Sequence, residues 1–275
     1  VDYAAETREF LNHFFDRLTI ITFKRLVFDN IQQDVVVLLG ERSCEERGVR
    51  FIELNDLADL TARGMEALNE AELIKPCNQW MEYYLTSREI DLLKRLDKDS
   101  RIADVSELFE VNIGLVSGRN EFFIMNKSAV SGLDLEKSVV PIISQSKQVK
   151  GINLTDEDYN NLVGLDKNVF FFAPENKDFD DLLDEEKVYI KLGEKRGLNT
   201  NYKCHIRPRW YYVPKSWRAD AFISCETHLY PRMILNRNKI LTTNNLYKAR
   251  FLEGVDGSLV TAAFLNVYTL AISEL

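Results

Sequence analysis

The residues best equipped for chemistry lie between Lys203 and Arg218. Five cations (Lys203, Arg207, Arg209, Lys215 and Arg218) interleave with four aromatics (Trp210, Tyr211, Tyr212 and Trp217), and Pro208 and Pro214 hold the backbone open. Cations alone suggest a solvated surface, and aromatics alone a core. Interleaved, they suit a polyanion that also presents flat faces, because guanidinium groups pair with phosphate or a guanine edge while rings stack on bases. An edge strand whose rings pack inward and whose cations face water reads equally well from this stretch.

Charge is distributed unevenly along the chain. Residues 187–250 carry 14 Lys or Arg against 3 acids, a balance of +11, so the rest of a chain of net charge −8 carries −19. Such asymmetry predicts one basic face for a polyanion, with the acidic remainder for solubility. Arg207, Arg209 and Arg218 are expected to meet phosphate. Lys195 and Arg196, in a basic loop over 193–197, and Asn236 and Lys239 further on extend the candidate surface. The acidic run 178–186 just before the window reads as a solvated helix or loop.

Two absences exclude familiar chemistry. No two glycines are separated by a single residue and no two prolines are adjacent. The chain therefore has neither a Gly-x-Gly nucleotide turn nor the Asx-Pro-Pro-aromatic motif of amino methyltransferases. Cys204, His205, Cys225 and His228 loosely imitate a zinc set, but adjacent strand residues point to opposite faces, so the expectation is no metal. Cysteines 44, 77, 204 and 225 form no Cys-x-x-Cys pair and are expected to be reduced in a cytoplasmic protein. No apolar run reaches membrane-spanning length, so no membrane partner is expected.

The elements that must position these residues follow from periodicity. Residues 4–15 predict a helix with Phe10, Leu11, Phe14 and Phe15 on one stripe and Asp2 as its cap. Runs 18–23 and 34–39 predict strands buried on both faces, and 49–54 a strand nearer an edge. A surface helix over 56–72 should end at Pro76, and Thr86 with Glu89 forms a capping box. Residues 111–125 predict a hairpin with its tip at 117–120, and 155–162 a capped helix. Residues 188–192 suit a strand or short helix. Strands are expected at 221–224 and 239–243, and an apolar helix at 260–273.

Several of these segments resemble adenine-specific DNA methyltransferases of restriction–modification systems. Asn30 to Arg42 (Asn-Ile-Gln-Gln-Asp-Val-Val-Val-Leu-Leu-Gly-Glu-Arg) resembles the closing strands of their catalytic domain. Ser117-Gly118-Arg119-Asn120-Glu121-Phe122-Phe123 resembles the Thr-Gly-x-Asn-x-x-Phe turn that follows it, with Ser117 in place of Thr. Arg209 to Pro214 and Pro231 to Asn236 look like their target-recognition region. The resemblance implies an α/β, mixed α+β chain: a remnant of a Rossmann-like methyltransferase sheet with a linking helix over 1–78, then a strand-rich target-recognition domain over 79–275. It implies that Arg119 and Asn120 lie where the two domains face DNA. It also implies a fragment without catalytic or cofactor residues of its own, S-adenosylmethionine being expected in the full-length parent. The implied partners are double-stranded DNA, an N-terminal catalytic domain missing from this chain, and a restriction endonuclease or a second copy. The alternative is a specificity or protein-interaction subunit that docks a separate catalytic chain through residues 1–55.

Overall fold

In the computed structural model of the chain, which describes residues 4–28, 33–77, 79–214, 216–225 and 230–274, the first sheet forms around β1 (Arg17–Phe23). Leu18, Ile20 and Ile21 are each 2% exposed, because β1 lies between β2 (Val37–Glu41, antiparallel) and β3 (Gly48–Leu54, parallel), and both of its faces are covered. The sheet order is β2-β1-β3-β4, with β4 at Leu73–Ile74.

Two strand expectations are corrected. The 34–39 run was to be buried on both faces, yet β2 is an edge strand whose Leu38 and Leu39 are 39% and 41% exposed. The 49–54 run, placed nearer an edge, is flanked by β1 and β4. Apolar content reports what a strand prefers, whereas neighbour order decides what it receives.

Helix α1 (Ala5–Phe14) has Ala4 at its cap and packs Leu11 against the Leu18–Ile20–Val49 cluster, while Phe10 and Phe14 stack on each other outside. Asp2 lies outside the described residues. Helix α2 (Leu57–Glu70) starts at Asp56, whose carboxylate accepts from the Ala58 and Asp59 amides, and packs Leu60, Ala67 and Leu68 on the other face of the sheet. It ends before β4, so Pro76 is not its stop.

The sequence places a boundary at 78/79, whereas the two compact units part between Arg95 and Leu96. Residues after Pro76 are held by the first sheet: Trp80 and Tyr83 pack on the Leu18 cluster, and Asn12 Nδ2 donates to the Cys77 carbonyl at 3.1 Å. The Thr86–Glu89 capping box opens α3 (Ser87–Leu96), with Glu89 Oε2 accepting from the Thr86 amide at 2.8 Å.

The second unit begins with α4 (Val105–Leu108) and β5 (Phe109–Ile113). It then runs through α5 (Asn120–Phe123), β6 (Ile124–Met125), α6 (Lys127–Gly132), β7 (Val139–Ile143) and β8 (Asn153–Leu154). Next come α7 (Asp156–Gly164), β9 (Phe170–Phe172), α8 (Asp184–Lys195) and α9 (Tyr202–His205). The chain finishes with β10 (Ala221–Ser224), β11 (Met233–Asn236), β12 (Leu241–Thr242), β13 (Leu246–Phe251), α10 (Gly257–Phe264) and α11 (Val267–Glu274). Two sheets result, ordered β5-β13-β10-β11-β8 and β12-β7-β9-β6, so the unit is mixed α+β.

The expected 111–125 hairpin does not form. β5 pairs with β13 and β6 with β9, in different sheets, because Phe122 and Phe123, 1% and 0% exposed, drive the turn into a core with Phe171, Phe172 and Ile190. The single apolar helix over 260–273 is two helices. Asn266 breaks it, donating back to the Ala263 carbonyl and accepting from the Thr269 amide at 2.9 Å as the next cap.

Among the described residues β2 has no strand on its outer edge, beneath exposed Leu38 and Leu39, an arrangement that templates strand addition. The chain is expected to self-associate at high concentration. Leu39→Lys should shift light-scattering mass toward monomer; an unchanged mass distribution would show that this edge is not used.

Candidate nucleic-acid interface

The turn 117–120 and α9 are built as one piece. Gly118 has φ +87°, and a Cβ there would come within 3.1 Å of both Lys203 Cβ and Cys204 Sγ, so only glycine lets the turn lie on the helix. Arg207, just past α9, donates Nη1 to the Ser117 carbonyl and Nη2 to the Val116 carbonyl, each at 2.7 Å. Burial lowers its pKa from the ordinary guanidinium value. Ser117, 2% exposed, donates its hydroxyl to Asn120 Oδ1 at 2.6 Å, and Asn201 opens α9 by accepting from the Lys203 amide.

On this clamped ledge Arg119 keeps capacity for a ligand. Its side chain is 38% exposed, its nearest carboxylate, Glu121, is 3.8 Å away, and its Nε is buried without a partner among the described residues. Asn120 is exposed with its oxygen occupied by Ser117, which leaves its Nδ2 to donate outward. Lys203 and His205 are exposed on α9, and Tyr202 and Ile206 project at 76% and 60% exposure. Cys204 is fully buried and burial raises its thiol pKa, which makes it a packing residue. Among the described residues no group of His, Cys, Asp or Glu could hold a metal; His228 lies outside them.

The middle of the central stretch is neither open nor an edge strand. Arg209 donates Nε and Nη2 to Asp178 Oδ1 and Nη1 to Asn176, so part of the acidic run anchors it. Trp210 packs on Phe122 and donates to Glu194, while Tyr211 is 6% exposed with its hydroxyl on the Lys177 carbonyl. The expected basic loop over 193–197 is largely helix. Gly193 lies in α8 where a Cβ would meet Phe122 and Trp210 rings within 3 Å, and Lys195 and Arg196 emerge exposed at its end.

A second cluster surrounds Trp217. Lys248 Nζ and Arg250 Cζ lie 4.1 and 4.5 Å from its ring centre, and the Lys248 ammonium reaches the Ser216 hydroxyl. Exposed Arg218 donates to the Lys239 carbonyl, and Lys239, at φ +51°, pairs with Asp220. Asn236 is 0% exposed, with its amide clamped on the Ala219 and Ile240 carbonyls and its oxygen on the Ile240 amide. It is therefore a corner of the core and not a surface contact. Lys215 lies outside the described residues. The sequence reading missed Lys248 and Arg250 as site residues. The signal for Lys248 was a cation in register with Leu246 on the inward face of a strand.

Residues 77–275 match the family described as Type II methyltransferase M.Eco57I, C-terminal domain, and the chain belongs to that family. It is also 24% identical over 236 residues to Type II methyltransferase M.AccI of Acinetobacter calcoaceticus, covering 81% of this chain and 42% of that protein. The chain thus spans less than half the length of this curated relative and corresponds to a C-terminal part of a Type II DNA methyltransferase.

Two further glycines serve close packing: a Cβ on Gly114 would meet the Thr243 carbonyl oxygen at 2.0 Å, and one on Gly193 would meet the Phe122 ring at 2.6 Å.

The Arg207 clamp gives a direct prediction. Arg207→Ala removes two charge-assisted bonds and leaves two carbonyls without their donors, so the fold should lose about 2 kcal/mol or more in chemical denaturation. A variant as stable as the parent would show that the ledge holds without it.

Proposed function

We propose that this chain is the DNA target-recognition part of a site-specific adenine-N6 DNA methyltransferase, catalytically inert alone. The observation that carries this reading is the clamped ledge within the family-matched region. It sets Arg119, only loosely paired with Glu121, and Asn120 Nδ2 and Lys203 beside a projecting Tyr202 ring. Methylating a base in a duplex requires extruding it into a catalytic pocket, so a separate surface must grip the backbone, read base edges and support the opened stack. Cations grip, an amide donor or guanidinium reads, and an exposed ring stacks. S-adenosylmethionine and the methyl-transfer residues belong, in this reading, to a catalytic domain outside this chain, with double-stranded DNA as the partner and the cytoplasm as the compartment.

A second reading, a protein-interaction subunit docking a separate catalytic chain or an endonuclease, is favoured by the exposed β2 edge. Duplex binding separates the two. The DNA reading expects affinity that falls steeply with salt, and Arg119→Ala should weaken it while leaving the melting temperature nearly unchanged. If Arg119 meets phosphate, the log–log salt slope drops by about 0.9 for every sequence. If it reads a base, the loss is about 1–3 kcal/mol and confined to the cognate site. No measurable duplex binding by the parent chain would leave the docking reading. Calorimetric titration with S-adenosylmethionine should give no heat of binding; micromolar binding would defeat the assignment of an inert fragment.

A further inference from the structure

Strand β13 carries a lysine where its fold asks for an apolar residue. Alternation places Leu246, Lys248 and Arg250 on one face of the sheet, and Lys248 stands in register opposite Phe222 of β10. Leu246 and Phe222 are fully buried in the cluster that Trp217 covers, and Lys248 itself is 6% exposed. Lysines are almost never buried this deeply without a counter-charge. Among the described residues no ion pair supplies one to Lys248 or to Arg250. Glu110 stands across from Arg250 in register on β5 without closing to an ion pair, and the residue opposite Lys248 on that side is Asn112.

What the two cations share is the Trp217 ring and, for Lys248, the Ser216 hydroxyl. The ring attracts both through its quadrupole but neutralises neither. Two positive side chains therefore converge beside a hydroxyl donor with no anion supplied by the described residues. Exposed Arg218 follows directly in sequence.

We propose that Lys248, Arg250 and the Ser216 hydroxyl form a site for a backbone phosphodiester of duplex DNA, with Trp217 as the platform that aligns the two cations. This rests on the DNA-binding reading above and adds to it a contact class and three residues. An Arg fork and a Lys point charge with a neutral hydroxyl suit a singly charged phosphate oxygen pair, and carry no base-reading geometry. Burial, and then repulsion from Arg250, lowers the Lys248 pKa, which is the direction expected where an anion is to complete the site.

The test uses the full chain with Lys248→Met, which keeps an unbranched side chain one atom shorter and removes the charge, and Arg250→Gln. A lysine held buried for a ligand costs the free protein stability, so Lys248→Met should raise the melting temperature while lowering duplex affinity. Each substitution should weaken binding about tenfold or more at low salt and reduce the salt slope by about 0.9, equally for cognate and unrelated sequences. A slope equal to the parent's in both variants overturns the site and leaves the DNA reading standing. A Lys248→Met melting temperature below the parent's with unchanged binding would make the cluster a structural cation–π stack. If inorganic phosphate at constant ionic strength raises the parent's melting temperature and not the variant's, with the duplex slope untouched, the site takes a free anion and the phosphodiester assignment falls. Absence of duplex binding by the parent removes both the reading and the site.

Discussion

The bidentate grip of Arg207 on two successive carbonyls is the constraint from which the candidate surface follows. The Val116 and Ser117 carbonyls lie in a stretch with no strand of its own, where they would otherwise need water. One guanidinium satisfies both, and its planar fork fixes the direction of the turn as well as its distance from α9. Gly118 then permits contact with Lys203 and Cys204, and Ser117 takes the oxygen of Asn120. Arg119 follows as the residue left over. Its neighbours on both sides are engaged in holding the turn, so its own head group is presented and not consumed.

The same logic divides the basic window into cations that hold the fold and cations that remain for a partner. Arg207 serves backbone carbonyls, Arg209 serves Asp178 and Asn176, and Arg232 reaches the Val149 and Gly151 carbonyls. Lys203, Arg218 and Arg250 have no such carboxylate or complete set of acceptors among the described residues, and Arg119 has only the loose pair with Glu121 at 3.8 Å. A residue count in the sequence measures the sum of both groups. It therefore detects a basic region, but it overstates how many of those charges reach the surface and cannot say which ones. The acidic run illustrates the converse. Asp178 is 78% exposed, as a solvated run predicts, but its partner lies far along the chain and only folding brings Arg209 to it.

Legibility of the fold tracks the range of the interaction that decides it. The Thr86–Glu89 and Thr155–Asp158 boxes were readable because donor and acceptor lie three residues apart. β1 and β3 were readable from apolar runs. The missing hairpin, the exposed β2 and the split C-terminal helix were not, for two separate reasons. Whether 109–113 pairs with 124–125 or with 246–251 is decided by where Phe122 and Phe123 are buried, a property of the whole second core. The Asn266 break was a local signal that apolar continuity outweighed: an amide able to close one helix and cap the next is a stop within an otherwise helical run. For the candidate site, the turn was singled out through its resemblance. Lys248 was not, because a strand's inward face is defined only once its register is known.

The two compact units also differ in how completely each satisfies itself, and that difference bears on what a recognition module requires. In the second, aromatic layers close on one another: Phe122 against Tyr189 at 4.6 Å, Phe123 against Phe171 at 5.5 Å. In the first, β2 is exposed along its length and the Thr19, Thr22 and Trp80 polar atoms are buried without partners among the described residues. Thr22 and Trp80 line a cavity of about 430 Å³ with Phe51 and Tyr84. A surface that must hold an anionic duplex in one geometry needs its cations on a scaffold whose own bonds are closed, since any slack in the support is lost from positioning. In the second unit the Arg207 clamp and the aromatic core supply that support. The first, with an open edge and orphaned polar atoms, has the features of a surface that other protein covers. The cations of the proposed DNA surface therefore sit on the unit that is clamped and packed by aromatics, while the exposed backbone and apolar groups of β2 belong to the first, whose chemistry favours strand addition.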